Sequence, residues 1–374
     1  MIRSGLRRRS LLRAGLGAGA ATAGAGTMAS AQPDPGAGRG HARVKLGCAV
    51  QRRYLDEAEY RAAITSHFDM VVTEDALKWE RLRPNPRDFD FADSDVIVNF
   101  ARSAGLAIRG HALVYHGQVP AWLDKVDNRR DAEDDMRRAI ATTVGRYRGV
   151  IGSWDVVNEF TDDRPEVGSG LRPTVWERLI GPDYIAIALR EAAAADPAAQ
   201  LVLSDYFLEY RGRHYDDRRS VMLRVVRDLV RRGVPLHAVG MQGHLYGDRV
   251  VDGPAVSRFV AELKSLGLDV VVTELDIVDQ AYPADPDIRD RLAAQQAFEL
   301  LDAVTEGGGA HSILAWGVTD RYSWTSWHMR RQDGLPTRPL ALDAAYRPKP
   351  LMRVLQHFRR RTVPPILPER GTRP

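Results

Sequence analysis

The sequence contains a single cysteine, Cys48, among its 374 residues. One thiol cannot form an intrachain disulfide, and it cannot supply a cysteine-based metal cluster. Cys48 lies in the apolar run VKLGCAV, residues 44–50, where a free cysteine behaves as a small buried apolar side chain. We therefore expect a buried structural thiol. The chain is long enough to form one large domain with its own core, or two ordinary ones.

Outside the first 31 residues, the sequence also lacks an excess of basic over acidic residues. That segment carries five arginines and no acidic residue, whereas the whole chain has a formal net charge of +4. Without these five arginines, the rest of the chain has a formal net charge of −1. Because nucleic-acid-binding proteins present basic surfaces, the charge does not favour a nucleic acid as the partner.

No run in the sequence is long and apolar enough to predict a membrane-spanning helix. Residues 1–31 instead show the order of features that is typical of an export signal. RRSLLR, residues 8–13, resembles a twin-arginine motif. An Ala/Gly run follows, and ASA, residues 29–31, fits a cleavage site. We expect an exported protein, periplasmic or extracellular; a disordered basic tail is the alternative.

Proline and glycine mark both edges of the remaining chain. QPDPGAGRGHAR, residues 32–43, predicts a flexible linker, and VPPILPERGTRP, residues 363–374, predicts a disordered tail. Residues 44–362 lie between them. The sequence therefore predicts one folded unit that is flanked by two irregular segments.

Eight short runs rich in Val, Ile, Leu and Ala alternate with longer helical patterns. Such nearly continuous apolar runs are typical of parallel strands that are buried on both faces. Repeated strand–helix alternation predicts a single-domain (β/α)8 TIM barrel, an α/β fold. A doubly wound open sheet is the alternative, but the first run lacks the Gly-rich phosphate turn of that fold. The runs cover residues 44–51, 69–75, 107–115, 153–159, 200–206, 238–244, 269–277 and 312–320.

Polar side chains collect where these runs end. In (β/α)8 barrels the carboxyl ends of the strands face the active site. Two glutamates stand out, because Glu159 and Glu274 each follow an apolar run and a hydrogen-bonding neighbour. A pair of carboxylates can cleave a glycosidic bond, and a separation of about 5–5.5 Å indicates a retaining double displacement. We expect the charge of one to raise the pKa of the other.

Six separated blocks, in order along residues 44–358, resemble endo-β-1,4-xylanases of glycoside hydrolase family 10. The resemblance implies a (β/α)8 barrel that cleaves xylan, a polysaccharide, by retaining, endo-acting hydrolysis. It implies no metal and no organic cofactor, and we expect a monomer. The blocks are TEDALKWERLRPNPRDFDFADSD (73–95), RGHALVYHGQVPAWL (109–123), SWDVVNE (153–159), MQGHL (241–245), TELDI (273–277) and AWGVTDRYSW (315–324).

The resemblance also assigns roles to matching positions. Glu159 would be the acid/base and Glu274 the nucleophile, whereas Asn158 would hold the sugar 2-hydroxyl. His244 and Asp276 would orient the nucleophile and keep it ionised. The other implied sugar contacts come from amides, charged groups and aromatic faces: Glu74, Asp75, Lys78, His111, Tyr115, Gln242, Trp316 and Trp324.

Four positions depart from the family pattern. Asp75 stands where the family usually has Asn, and Tyr115 stands where it usually has Trp. Ser204 and Phe207 replace two Asn of an Asn-Asp-Tyr-Asn block. These changes touch the sugar-binding periphery and not the two glutamates. The sequence therefore supports glycoside hydrolysis more directly than it supports xylan as the substrate. Another β-linked glycan, such as a host-made exopolysaccharide, is the alternative substrate.

The same residues disfavour two other functions, and some of them are expected to have supporting roles. A glycan-binding module without turnover would be indicated by loss of either glutamate, and both are present. A metal-dependent barrel hydrolase would need a His-x-His cluster, which the sequence lacks. Asp205 and Asp320 are expected to be helix caps or supporting partners, and His116 is left open between core and site. Four tryptophans are expected to pack in the core: Trp79, Trp122, Trp154 and Trp176.

Overall fold

The computed structural model describes residues 42–363. The predicted leader, residues 1–31, lies outside the described residues. Most of the predicted linker and nearly all of the predicted tail lie outside them as well. The described residues therefore comprise the predicted barrel and the few residues that flank it.

Twelve strands occur in this described part of the chain. They are β1 (Ala42–Arg43), β2 (Lys45–Val50), β3 (Met70–Thr73), β4 (Ala107–Gly110), β5 (Val114–Tyr115), β6 (Ser153–Asn158), β7 (Gln200–Asp205), β8 (Ala238–Met241), β9 (His244–Tyr246), β10 (Asp269–Val278), β11 (Ser312–Ala315) and β12 (Thr362–Val363).

Eight of these strands form a closed parallel barrel. Their order around the barrel is β2, β3, β4, β6, β7, β8, β10 and β11, and β11 pairs back with β2. Each of the eight predicted apolar runs contains one barrel strand. The short strands β5 and β9 pair with the carboxyl-terminal residues of β6 and β10. The predicted (β/α)8 barrel is confirmed, and the alternative of an open doubly wound sheet is wrong.

Helices follow the strands and cover the outside of the barrel. In the same described residues they are α1 (Ala58–His67), α2 (Trp79–Leu82), α3 (Ala92–Ser103), α4 (Arg129–Arg146), α5 (Val175–Ile180), α6 (Tyr184–Ala195), α7 (Arg213–Arg231), α8 (Gly253–Ser265), α9 (Pro286–Glu306), α10 (Thr325–His328) and α11 (Pro350–Arg359). Three 3-10 turns span Arg52–Tyr54, Ala121–Lys125 and Asp320–Tyr322. Within residues 42–363, none of the helices has the length and apolar character needed to cross a membrane.

The strands bury both of their faces, which explains their continuous apolar sequence. Along β2, Leu46, Cys48 and Val50 belong to the large apolar cluster between the strands and the helices. Ala49 points the other way, into a small cluster inside the barrel with Val271 and other side chains. Cys48 is fully buried, and burial raises the pKa of its thiol well above the ordinary value. The predicted structural thiol is confirmed.

A short strand pair joins the two ends of the described chain, close to the predicted boundaries of the barrel. β1 pairs antiparallel with β12, so that Ala42 lies opposite Val363 and Arg43 lies opposite Thr362. Residues 42 and 43 were predicted as linker, and Val363 was predicted as tail. Backbone N–H and C=O groups gain hydrogen-bond partners by this pairing, which composition alone does not indicate. This pairing therefore includes two residues of the predicted linker and one residue of the predicted tail.

Candidate active site

The carboxyl ends of the barrel strands surround a cavity of about 700 Å³. Twelve of the thirteen predicted site residues line it, and the thirteenth, Asp276, lies fully buried directly below. The lining residues among them are Glu74, Asp75, Lys78, His111, Tyr115, Asn158, Glu159, Gln242, His244, Glu274, Trp316 and Trp324.

Glu159 follows β6 directly and adopts a left-handed backbone conformation, with φ at 56°. Such a conformation is costly for a residue other than glycine and persists only when neighbouring contacts fix it. The N–H of Glu159 donates to the carbonyl of Ser204 at 2.9 Å. Its own carbonyl accepts from Nε of Arg172 at 3.1 Å. These bonds turn the glutamate side chain into the cavity at the end of the strand.

The carboxylate of Glu159 meets three hydrogen-bonding side chains. Nε2 of His116 lies 2.8 Å from Oε2, and Nε2 of Gln242 donates to Oε1 at 3.1 Å. Nδ2 of Asn158 also approaches Oε1, at 3.4 Å. Burial acts to raise the pKa of Glu159, but the hydrogen bonds from His116 and Gln242 outweigh it, so the pKa is lowered. The expected rise in pKa is therefore wrong for Glu159, because nearby donors stabilise its charged form.

Glu274 lies inside β10, which continues beyond it to Val278. Its N–H donates to the carbonyl of Gln242 at 2.8 Å, and its side chain is almost fully buried. Oε2 lies 3.3 Å from Nε2 of His244. Oε1 is buried and has no hydrogen-bond partner among residues 42–363, and Nδ1 of His111 is 4.0 Å away. One carboxylate oxygen is thus anchored, and the other is left available.

His244 sits between two carboxylates. Its Nδ1 lies 2.7 Å from Oδ1 of Asp276, and Asp276 also accepts a hydrogen bond from Nε1 of Trp324. Burial acts to lower the pKa of His244, but the charges and hydrogen bonds of Asp276 and Glu274 outweigh it and raise the pKa well above its ordinary value. His244 is therefore an imidazolium that stabilises the Glu274 carboxylate.

Asp155 and Arg109 are buried and hold His111 in place. The sequence did not identify either of them as a site residue. Asp155 lies on β6, and its Oδ2 is 3.0 Å from Nδ1 of His111. Arg109 forms a buried ion pair with the same aspartate. Burial acts to raise the pKa of Asp155, but Arg109 and His111 outweigh it and lower the pKa. The only signal in the sequence was the placement of an Asp and an Arg inside adjacent apolar runs.

Charged and amide groups form the end of the cavity above β2 and β3. Nζ of Lys78 donates to Oε1 of Gln118 at 2.7 Å and lies 5.4 Å from the ring centroid of Tyr115. Burial raises the pKa of Glu74 to about 7, although Gln51 donates a hydrogen bond to it. Lys78 is buried and not a solvated surface lysine, as predicted.

Asp75, a departure from the family pattern, has a local partner. Its Oδ2 lies 2.8 Å from Nε of Arg81, which is half exposed. Asp75 and Arg81 therefore form an ion pair, and the carboxylate is not isolated at the cavity wall. The sequence identified the departure but not this compensating cation.

Several residues that line the cavity were not among the thirteen predicted site residues. Tyr206 and Phe207 follow β7, whereas Tyr246 ends β9, and Trp327 and His328 end α10. Gln51, Arg53 and Gln118 complete the set. Aromatic residues in loops give little sequence signal, because the same residue types also form core contacts.

The remaining expectations concern supporting residues. Trp79, Trp154 and Trp176 are buried, and Trp122 stacks on Trp79. Among the described residues, no three His, Cys, Asp or Glu side chains are grouped so as to hold a metal ion.

Asp205 and Asp320 serve as supporting partners. Asp205 accepts from the N–H of Thr161 at 2.9 Å and forms a buried ion pair with Arg218 at 2.6 Å. Asp320 pairs with Lys349 at 2.9 Å. Both aspartates therefore brace loops around the site, as expected.

The comparisons with known proteins agree with this architecture. Residues 39–357 match glycosyl hydrolase family 10. Endo-1,4-beta-xylanase 3 of Hypocrea jecorina is 32% identical over 309 residues, which cover 82% of this chain and 80% of that protein. Endo-1,4-beta-xylanase B of Paenibacillus barcinonensis is 32% identical over 327 residues, which cover 82% of this chain and 92% of that protein.

A solved structure shows the same likeness in three dimensions. The crystal structure of native xylanase 10B from Thermotoga maritima superposes with a TM-score of 0.76 at 26% identity, covering 85% of this chain and 95% of that chain. The family match spans nearly the whole described barrel. The chain belongs to glycosyl hydrolase family 10.

Proposed function

We propose that the protein is a retaining endo-β-1,4-xylanase in which Glu159 is the general acid/base and Glu274 is the nucleophile. One observation carries the proposal: Glu159, half-buried directly after β6, and Glu274, buried on β10, line the same cavity of about 700 Å³. The relatives named above are endo-1,4-beta-xylanases, which supports xylan as the substrate.

The surroundings of Glu274 suit a nucleophile. A nucleophile needs one oxygen free to attack the anomeric carbon, and Oε1 has no partner among the described residues. The other oxygen, Oε2, lies 3.3 Å from Nε2 of His244, whose pKa is raised well above its ordinary value by Asp276 and Glu274. In the first step Oε1 bonds to the anomeric carbon while the glycosidic C–O bond breaks.

The surroundings of Glu159 suit a group that alternates between acid and base. In the first step it gives a proton to the departing sugar oxygen, and in the second it takes a proton from the attacking water. Nε2 of His116, 2.8 Å from Oε2, places a hydrogen-bonding side chain beside the carboxylate. The hydrogen bonds from His116 and Gln242 that lower the pKa of Glu159 stabilise the ionised form that a base requires in the second step.

Other lining residues fit the recognition of a sugar. Asn158 and Gln242 are hydrogen-bonded neighbours on the cavity wall, where Nε2 of Gln242 donates to Oδ1 of Asn158 at 3.3 Å. Their amides are placed to meet hydroxyl groups beside Glu159. Trp316 and Trp324 offer flat apolar rings for the faces of pyranose units. Glu74 and Lys78 offer polar groups further along the cavity.

A product assay tests the proposal directly. Residues 32–374 are incubated with xylan, mixed-linkage glucan and carboxymethyl cellulose, and the Glu274→Ala variant serves as the control. Xylo-oligosaccharides released by the wild type alone would support the proposal. If the folded wild type releases nothing from xylan but cleaves another glycan, the substrate is a different β-linked glycan, such as an exopolysaccharide of the host.

We also propose that the protein is exported through its twin-arginine-type leader to the periplasm or the medium. The proposal rests on the order of basic, apolar and small residues in residues 1–31. A protein without an intrachain disulfide is compatible with a route that carries folded cargo. We expect the mature protein to be a monomer, which light scattering of the purified enzyme would measure.

A further inference from the structure

Glu209 is a fully buried carboxyl group that the proposed mechanism does not use. It lies between β7 and α7 and is not among the residues that line the cavity. Its Oε1 accepts a hydrogen bond from the N–H of Gly243 at 3.0 Å, whereas its Oε2 has no hydrogen-bond partner among residues 42–363. Burial of a carboxyl group costs free energy unless the group is paired. The pairing with Gly243 therefore points to a role in holding that residue.

Gly243 lies in a break between two strands. Gln242 and Gly243 separate β8 from β9 and belong to neither strand. The N–H of Gln242 still donates to the carbonyl of Asp205, the last residue of β7, at 3.0 Å. Gly243 is buried and has φ at 75°, so its N–H leaves the line of the strand. The side chain of Glu209 supplies the acceptor that β7 no longer offers.

The break carries one contact of each proposed catalytic glutamate. Gln242, on one side of Gly243, donates to Oε1 of Glu159 at 3.1 Å. His244, on the other side, lies 3.3 Å from Oε2 of Glu274. A rotation of the backbone at the glycine would therefore move both contacts at once.

The carbonyl groups of the break are bonded to β10. The carbonyl of Gln242 accepts from the N–H of Glu274 at 2.8 Å, and that of Gly243 accepts from the N–H of Asp276 at 3.4 Å. These bonds attach the break to the strand of the proposed nucleophile. The bond from Gly243 to Glu209 is the attachment on the opposite side, towards β7.

The backbone around Glu209 is itself fixed. Its carbonyl accepts from the N–H of Asp252 at 2.9 Å. Arg219 on α7 donates to the carbonyls of the residues on either side of it, at 2.8 and 3.0 Å. The hydroxyl of Tyr210, the next residue, donates to the carbonyl of His244 at 2.7 Å. A side chain that starts from such a backbone can hold its partner in a defined position.

We propose that Glu209 is a positioning residue, which holds the residues on either side of Gly243 in place through the N–H of that glycine. The inference rests on the proposed function. Without this bond the N–H would be buried with no acceptor, and the peptide would turn to find one. The amide beside the acid/base and the cation beside the nucleophile would then both move. One side chain that touches no sugar therefore supports both proposed catalytic carboxylates.

The test compares three variants, Glu209→Ala, Glu209→Met and Glu209→Gln, with a matched control, Asp196→Ala. Alanine and methionine both remove the oxygen that accepts from Gly243, and methionine also fills most of the space, so a folded variant is expected. Glutamine keeps an acceptor, and because burial raises the pKa of Glu209, a neutral amide is a suitable replacement. Asp196 is also buried and accepts from the N–H of Gly149 at 2.9 Å, but it does not line the cavity.

The kinetic readout is kcat, KM and the pH profile on xylotetraose. For Glu209→Ala and Glu209→Met we expect kcat to fall about tenfold and KM to change less than about twofold, because both displaced groups act in the transition state. The alkaline limb of kcat/KM should move to higher pH, since hydrogen bonds from His116 and Gln242 lower the pKa of Glu159 and the second bond is lost. Glu209→Gln and Asp196→Ala should keep the wild-type values.

The imidazole resonance of His244 gives a readout that does not depend on turnover. It is identified by its absence in His244→Asn. Asp276 and Glu274 raise the pKa of His244, so its movement away from Glu274 should lower that pKa in Glu209→Ala and Glu209→Met. Glu209→Gln also removes any charge of Glu209, so an unchanged titration in that variant separates the effect of position from the effect of charge.

Three results would overturn the positioning role. They are a wild-type kcat and His244 titration in folded Glu209→Met, the same losses in Glu209→Gln, and the same losses in Asp196→Ala. A different result would overturn the proposed function alone. In that case the wild type cleaves neither xylan nor xylotetraose, while the His244 titration still moves in Glu209→Met and not in Glu209→Gln.

Discussion

Nε2 of His116 lies 2.8 Å from Oε2 of Glu159, and Nε2 of His244 lies 3.3 Å from Oε2 of Glu274. Each proposed catalytic carboxylate thus has one oxygen beside a histidine. The two histidines differ in their own support, since Asp276 raises the pKa of His244. The side chain of His116 is 29% exposed, whereas that of His244 is 14% exposed. The site therefore combines a buried cation at the nucleophile with a more exposed histidine at the acid/base.

Removal of His116 should move the pH profile towards higher pH. Burial acts to raise the pKa of Glu159, and His116 is the main group that opposes it. In His116→Ala the pKa of Glu159 should therefore rise. Since the acid loses its proton at a higher pH, the alkaline limb of kcat/KM should shift upwards. The measurement is kcat/KM on xylotetraose against pH, with His214→Ala on α7 as the control. A shift to lower pH would contradict this assignment.

The two glutamates should respond differently to the leaving group. Glu159→Ala should slow xylotetraose by on the order of a hundredfold or more, because the sugar oxygen needs a proton as it departs. Dinitrophenyl β-xylobioside needs little protonation, so its formation of the covalent intermediate should be nearly unaffected. Glu274→Ala should abolish hydrolysis of both substrates. Steady-state and burst kinetics on each substrate check this, and equal, mild losses in both variants would refute the assignment.

Loss of Asp276 should neutralise His244. The carboxylates of Asp276 and Glu274 together hold the pKa of His244 well above its ordinary value. In Asp276→Asn one of these charges is missing, so His244 should lose its proton at a lower pH and stabilise ionised Glu274 less. Imidazole resonances followed by NMR titration measure the change. An imidazolium that persists unchanged to the same pH in the variant would show that Asp276 is not its main support.

Glu74 should make the stability of the protein depend on pH. Burial raises its pKa to about 7 from 4.5, so the folded protein holds this proton more tightly than the unfolded chain. The free energy of unfolding should then fall as the pH rises from about 4.5 to about 7. Glu74→Gln should remove up to about 3 kcal/mol of this dependence. Urea unfolding across that pH range checks it, and parallel curves for both proteins would exclude the effect.

The leader prediction can be tested by a conservative change. In Arg8→Lys with Arg9→Lys the positive charge stays but the twin-arginine motif is lost, so export should fall sharply. Cell fractionation and xylanase assays of each fraction measure the distribution. N-terminal sequencing of the exported wild type should begin near Gln32. Equal export of the variant would point to a different route.

Much of the fold could be predicted because it depends on local, repeated patterns. Strands buried on both faces need continuous apolar runs, and all eight runs hold a barrel strand. The limits of the barrel were less accurate, since the pairing of Ala42 with Val363 joins residues from opposite ends of the described chain. Such contacts follow from chain closure and leave little trace in composition.

Residue types and their spacing were enough to predict the barrel, to select Glu159 and Glu274 as candidates, and to name most of the cavity lining. These features depend on residue types at strand ends, and a (β/α)8 barrel brings all strand ends to one face. Three contacts became visible only in three dimensions: His116 with Glu159, Asp155 with His111, and Arg81 with Asp75. Proton affinities and sugar contacts depend on distances of a few ångströms between residues far apart in sequence, and folding alone sets those distances.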